Sequence, residues 1–144
     1  MDGMNAETLL AAAREAAEKA YAPYSRFRVG AALLLSDGAV VTGANIENRS
    51  YGLTNCAERT AVFSAVAAGR RDFAALALFC PDADYPVPPC GACRQVISEF
   101  TRKDFPIYFA GGRGEPVHTT IGELYPHDAL RELADQPRPS PPPR

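Results

Sequence analysis

Apolar positions along the chain fall into blocks whose spacing alternates between helical and extended. Between residues 5 and 22, Leu9, Leu10, Ala13, Ala16, Ala17, Ala20 and Tyr21 recur at helical intervals, and Arg14, Glu15, Glu18 and Lys19 take the other side. Asn5 stands where an N-cap belongs, and Pro23 cannot continue the helical hydrogen bonding. Residues 29–35 form a near-continuous apolar run, which predicts a strand covered on both faces. Ser36-Asp37-Gly38 then predicts a hairpin turn into a second strand over 39–43.

A polar stretch from Asn45 to Asn55 follows neither period. The spacing predicts a helix over 56–68, with Ala61, Val62, Ala65 and Val66 inward and Gly69 as the stop. A buried strand over 73–80, a proline-rich loop over 81–89 and a helix over 90–102 follow, the last on a Val96, Ile97 and Phe100 stripe. Strands over 106–110 and 116–119 flank a glycine turn at 111–114, and a helix is predicted over 127–134. Residues 137–144 hold five of the thirteen prolines, which predicts a polyproline or disordered extension outside a single domain over 1–136. This order of elements predicts an α/β domain, a mixed sheet with helices on both faces.

Composition narrows the function classes. At 144 residues there is room for one compact domain, and 47% hydrophobic with 22% charged residues is ordinary for a globular protein. Fifteen basic against seventeen acidic residues leave a net charge of −2, without the basic footprint of a nucleic-acid or anionic-membrane binder. No apolar run approaches the ~18 residues of a membrane helix. Met1-Asp2-Gly3 does not open a secretory leader, so the expected location is cytoplasmic.

The four cysteines carry the chemistry. In a reducing compartment such a set points to metal or catalysis before disulfides. Cys90-Gly91-Ala92-Cys93 opens a predicted helix, so both sulfurs can face one ion. Alone, the pair also admits a redox couple or half of a zinc ribbon. Cys56 stands at another helix start, where free amides and the helix dipole favour a thiolate. Three thiolates and an open position form the catalytic zinc pattern, whereas structural zinc sites close all four positions. Glu58, two residues after Cys56, is too close to be a natural fourth ligand and is placed to face the open side. Three thiolates on Zn²⁺ sum to −1, which a cation or hydrogen-bond donor near the sulfurs would relieve, and Arg59 and Arg94 adjoin the ligand segments. Cys80, ending an apolar strand, reads as a buried structural thiol, and His118 and His127 lie outside the motifs.

With these motifs in order, the chain resembles the small cytidine deaminases. The residues that carry the resemblance are Phe27-Arg28-Val29-Gly30-Ala31-Ala32, Asn45-Ile46-Glu47-Asn48, Tyr51, Cys56-Ala57-Glu58-Arg59-Thr60-Ala61 and Pro89-Cys90-Gly91-Ala92-Cys93-Arg94-Gln95. The resemblance covers residues 21–124, and a non-ligand glutamate with P-C-x-x-C is the signature of zinc deaminases. It implies a three-layer α/β/α sandwich around a mixed five-stranded sheet. It also implies one Zn²⁺ per chain and hydrolysis of cytidine or deoxycytidine to uridine or deoxyuridine and ammonia. By position, Cys56, Cys90 and Cys93 match the zinc ligands and Glu58 the proton shuttle that works while zinc-activated water attacks C4. Asn45 and Glu47 match residues holding the ribose 3′-hydroxyl, Phe27 an aromatic on the pyrimidine, and Ala57 a further substrate contact. Arg59 matches an arginine bonded to the ligand thiolates, with Gln95 also behind the ligands. Tyr51 matches a residue lent to a neighbouring subunit's site, implying a homotetramer with shared sites, a small-molecule nucleoside as partner, and neither nucleic acid nor membrane.

One departure concerns the C-terminal segment. Many family members close a phenylalanine over a neighbour's substrate, whereas this chain has none after Phe109: either Tyr125 or His127 takes its place, or the lid is absent. Alternative readings are a deaminase of a modified or antibiotic nucleoside such as blasticidin S, a non-catalytic zinc protein with Cys80 or a histidine as fourth ligand, and a Cys90/Cys93 redox pair. A polynucleotide-editing role finds no basic, aromatic-lined strand channel in the sequence.

Overall fold

The computed structural model describes residues 4–130. Helix α1 (Ala6–Ala17) starts at Asn5, whose side chain accepts from the Thr8 amide, and its Leu9, Leu10, Ala13, Ala16 and Ala17 are buried. Strands β1 (Gly30–Leu35) and β2 (Val40–Ala44) make the expected antiparallel hairpin. Helix α2 (Ala57–Ala67), strand β3 (Phe73–Cys80), helix α3 (Gly91–Phe100) and strand β4 (Pro106–Gly111) follow, then strand β5 (Val117–Thr120) and the short helix α4 (Ile121–Leu124).

The five strands form one sheet in the order β2-β1-β3-β4-β5. β3 and β4 are parallel and joined through α3, whereas the other neighbours are antiparallel, so the sheet is mixed. Alternation along the strands divides the core in two. Ala32, Ala75, Ala77 and Ala110 face α1 through Leu9, Leu10 and Ala13. On the other face Ala31, Leu33, Leu76, Leu78 and Ile107 meet Ala61, Val62 and Ala65 of α2 and Ile97 of α3. This is the three-layer α/β/α sandwich around a mixed five-stranded sheet.

The small side chains of the sheet set how closely the layers approach. A Cβ on Gly43 would lie 2.6 Å from both the Ala57 carbonyl oxygen and the Ala61 amide, so the first turn of α2 rests directly on β2. A Cβ on Gly111 would lie 2.0 Å from the Tyr85 carbonyl oxygen, so the end of β4 carries the loop that leads to Cys90. Both contacts position chain that presents cysteines.

Element by element, the sequence pattern and the structure agree within about two residues, with four differences. Helix α1 ends at Ala17, short of the stop expected at Pro23, and Tyr21, expected on its apolar face, is exposed and bridges Ile46. Cys56 and Cys90 are N-caps, one residue outside their helices. The polar stretch 45–55 contains a 3₁₀ turn (Tyr51–Leu53) and pairs Ile46 with Tyr21 and Asn55 through isolated bridges. At the C-terminal end a helix forms at Ile121–Leu124, started by the Thr120 side chain accepting from the Glu123 amide. The predicted helix over 127–134 lies partly outside the described residues, and within them residues 127–130 are not helical, with a turn at 129–130. The proline-rich segment 137–144 also lies outside them.

The Gly43 contact yields a prediction. Gly43→Ala should destabilise the fold by about 1–3 kcal/mol, the usual cost of overpacking, and should lower retention of metal on Cys56, because the clash falls on the first turn of α2. Urea unfolding with metal analysis of the same sample checks both.

Candidate active site

Two helix starts meet at the carboxyl end of β3. Cys56 caps α2, Cys90 caps α3, and Cys93 sits one turn into α3. Their three sulfurs lie within 4.8 Å of one another, with Cys56 and Cys90 Sγ 3.7 Å apart. Sulfurs about 2.3 Å from a tetrahedral zinc stand roughly 3.8 Å apart, so this trio matches the donor type and spacing of a zinc site. Neither Cys56 nor Cys90 makes a side-chain capping bond, which leaves both sulfurs free to face the ion at the positive end of a helix.

Arg59 answers the charge problem of three thiolates. Its NH2 donates to Cys56 Sγ at 3.2 Å, and its buried Nε has no hydrogen-bond partner in the described structure. The guanidinium is thus sunk against the sulfurs. Hydrogen bonds from Cys93 and then Arg59 pull the Cys56 thiol well below its ordinary value, and the same contact with Cys56, aided by burial, pushes Cys93 up. Arg94 turns away, donating Nε to the Pro89 carbonyl at 2.8 Å and NH1 to the Leu124 carbonyl at 2.7 Å. Cys80 is fully buried with its thiol pushed up to about 12, chiefly by burial, and it stands outside the sulfur trio. No fourth cysteine or histidine closes the site among the described residues.

Glu58 lies beside this trio, only 4% exposed, and burial raises its carboxyl to about 7. A cavity of about 420 Å³ opens in front of it, bordered by Phe27, Asn45, Glu47, Ala57, Cys80 and Cys90. A carboxyl that titrates near neutrality in a cleft, next to a metal-binding cluster, is equipped for proton transfer.

The sugar-side candidates are held by their neighbours. Asn45 Oδ1 accepts from the Val29 amide at 2.8 Å, and its Nδ2 donates to the Phe27 carbonyl at 2.8 Å, which fixes the Phe27 backbone at the cavity wall. Glu47 Oε1 accepts from the amides of Tyr24 (2.9 Å) and Ser25 (3.1 Å), and Oε2 accepts from the Ser25 hydroxyl. Its carboxyl is held below the usual carboxylate range, the Ser25 hydroxyl being the largest cause. Tyr51 is 75% exposed, stacked edge-on against Tyr24 at 5.8 Å, beside an adjoining cavity of about 370 Å³ that shares Ser25, Glu47 and Thr54 with the first. Gln95 accepts the Tyr125 hydroxyl at 2.7 Å, so its side chain ties α3 to the C-terminal segment. That bond also occupies the Tyr125 hydroxyl, and His127 borders a separate hollow with Lys103. The walls also contain Ser25, Thr54, Val87 and Pro88, which belong to no periodic or chemically marked pattern, and Val29 and Leu78, whose apolar runs mark them as strand and not as cavity lining.

The profile of the cytidine and deoxycytidylate deaminase zinc-binding region matches residues 4–109. The chain belongs to this family. A cytidine deaminase from Halalkalibacterium halodurans is 54% identical over 123 residues, covering 85% of this chain and 92% of that protein. The crystal structure of a cytidine deaminase from Burkholderia pseudomallei superposes with a TM-score of 0.80 at 50% identity, covering 84% of this chain and 96% of the other. A blasticidin-S deaminase from Bacillus cereus is less similar, 35% identical over 109 residues that cover 71% of this chain and 76% of that protein.

The wall carrying Phe27 is tied to the end of β3 by Arg28, whose amide, Nε and NH2 all donate to Asp82 at 2.8–3.0 Å. This holds the Asp82 carboxyl down at about 2. Because the folded value lies below the unfolded one, the contact contributes stability above about pH 4 and loses it as pH falls toward 2. An NMR titration should find the Asp82 midpoint near that value, and Arg28→Ala should move it toward the ordinary carboxylate range.

Proposed function

We propose that this chain hydrolytically deaminates cytidine and deoxycytidine to uridine and deoxyuridine with release of ammonia. The observation that carries the reading is the buried Glu58 facing a nucleoside-sized cavity beside three converging cysteine sulfurs. Cys56, Cys90 and Cys93 hold one zinc, which supplies Lewis acidity that brings the ionisation of water toward neutral pH. Glu58 takes the proton of the attacking water, delivers it to the ring nitrogen next to C4, and afterwards protonates the departing amine. One carboxyl serves these steps because burial keeps its proton affinity near neutral, where giving and taking a proton are both accessible. Phe27 packs on the pyrimidine, Ala57 borders it, and Asn45 with Glu47 binds the ribose 3′-hydroxyl. Arg59 stabilises the ligand thiolates. The lower similarity to the blasticidin-S deaminase and the sulfur trio without a fourth ligand favour this reading over the modified-nucleoside and non-catalytic alternatives.

Glu58→Gln separates proton transfer from metal binding. The variant should keep one zinc per chain and lose about 10²–10⁴ in kcat, the usual worth of a positioned general acid–base. Ultraviolet absorbance of cytidine with metal analysis reads both quantities, and full turnover in the variant would remove Glu58 from the mechanism.

The protein acts in the cytoplasm as a homotetramer in this reading, with Tyr51 reaching a neighbour's substrate. Support comes from the exposed apolar side chains beside the site: Tyr21, Tyr24, Ile46, Tyr51 and Leu53 are each 47–75% exposed. No helix among the described residues is long and apolar enough to cross a membrane. Leu53→Asp should shift the protein to smaller species in light scattering and lower its activity in parallel. A tetramer undisturbed by the charge would place the interface elsewhere.

A further inference from the structure

Glu47 has little acceptor capacity left. An ionised carboxylate offers about four lone-pair sites, and three are filled: two on Oε1 by the Tyr24 and Ser25 amides, one on Oε2 by the Ser25 hydroxyl. The remaining site is therefore on Oε2, the oxygen that Ser25 holds. The same Ser25 hydroxyl oxygen accepts from the Phe27 amide at 3.0 Å. The chain can make this bond because Arg26 adopts the left-handed conformation, φ 57°, and turns Phe27 back toward Ser25. From its other side Phe27 is gripped through its carbonyl by Asn45. One hydroxyl thus joins the carboxylate on the sugar side of the cavity to the aromatic on the base side, and Ser25 itself borders both adjoining cavities.

We infer that Ser25 is a positioning residue for substrate selection. It fixes the single open lone pair of Glu47 so that a 3′-hydroxyl is required, and it holds that lone pair in register with the ring of Phe27. The inference rests on the proposed role of Glu47. Without the Ser25 hydroxyl, Oε1 stays pinned by two amides while Oε2 swings, so the carboxylate still binds but no longer points.

The test compares cytidine with 3′-deoxycytidine in the zinc-loaded full chain. Ser25→Ala should lower the cytidine to 3′-deoxycytidine ratio of kcat/KM about tenfold, the scale of one hydrogen bond to a charged group. The change should appear in KM for cytidine more than in kcat. Ser25→Thr, which restores a hydroxyl, should recover the ratio. An equal fall for both substrates in Ser25→Ala would mean a merely structural role and overturn the inference. Glu47→Gln separates the two layers of the argument. If it abolishes the discrimination while Ser25→Ala preserves it, Ser25 is not the positioning group and the reading of Glu47 stands. If Glu47→Gln itself preserves the discrimination, that reading and the inference both fall.

Discussion

Three sulfurs can share one point only if two helix N-termini are brought together, and the rest of this fold answers that demand. Each helix start offers unpaired amides and the positive end of a dipole to the sulfur of its N-cap cysteine. Bringing the two ends together has a structural requirement that glycine meets. Gly43 lets α2 lie against β2 by its backbone, and Gly111 lets the loop before Cys90 lie against β4. The parallel β3–α3–β4 unit supplies the remaining constraint, since the crossover helix starts beside the carboxyl end of β3. That is where open α/β sheets generally place their ligands, and here Cys80 at the end of β3 borders the cavity.

The cavity is polar at few points, and those points are already paired before any substrate enters. Asn45 and Glu47 spend most of their hydrogen-bonding capacity on the segment 24–29. In the proposed role this lowers the entropy lost on binding, because the groups that would read the substrate are immobilised by folding. It also explains how a loop with no regular period can hold fixed polar groups. The segment 21–29 is held at Tyr21, whose amide donates to the Asn45 carbonyl and whose carbonyl accepts from the Glu47 amide, and at Arg28 by Asp82. Ties at both ends, to two different parts of the chain, make it a wall rather than a flap.

What the sequence disclosed and what it withheld divide along range of interaction. Helical and strand periods are local, so α1, the hairpin, β3 and α3 were legible with their inward faces. The metal cluster was legible because cysteine at two predicted helix starts is a chemical signal as well as a local one. The family motifs located Asn45 and Glu47, but nothing local showed that Ser25, twenty-two residues from Glu47, donates to that carboxylate through both its amide and its hydroxyl. The Tyr125–Gln95 bond and the Arg94–Leu124 bond each span thirty residues. They fasten α4 and the residue after it to α3, so the Tyr125 hydroxyl is held within its own chain. The short helix α4 escaped notice for a related reason: four residues with one buried apolar side chain carry no period.

Charge accounting explains why burial can govern Glu58. Zinc with three thiolates carries −1, and the Arg59 guanidinium, bonded to Cys56 and buried at its Nε, returns the centre to zero. The Cys56 thiolate and the Arg59 guanidinium act on Glu58 in opposite senses, and burial, the largest cause, disfavours the carboxylate and lifts Glu58 from the usual range to about 7. Removing the arginine would leave a net negative centre and raise the proton affinity of Glu58 further, toward a group that accepts but no longer releases. Arg59 therefore serves the proposed proton transfer without touching the substrate: it donates to the Cys56 sulfur and, by opposing the charge of that thiolate, leaves burial as the largest influence on the carboxyl.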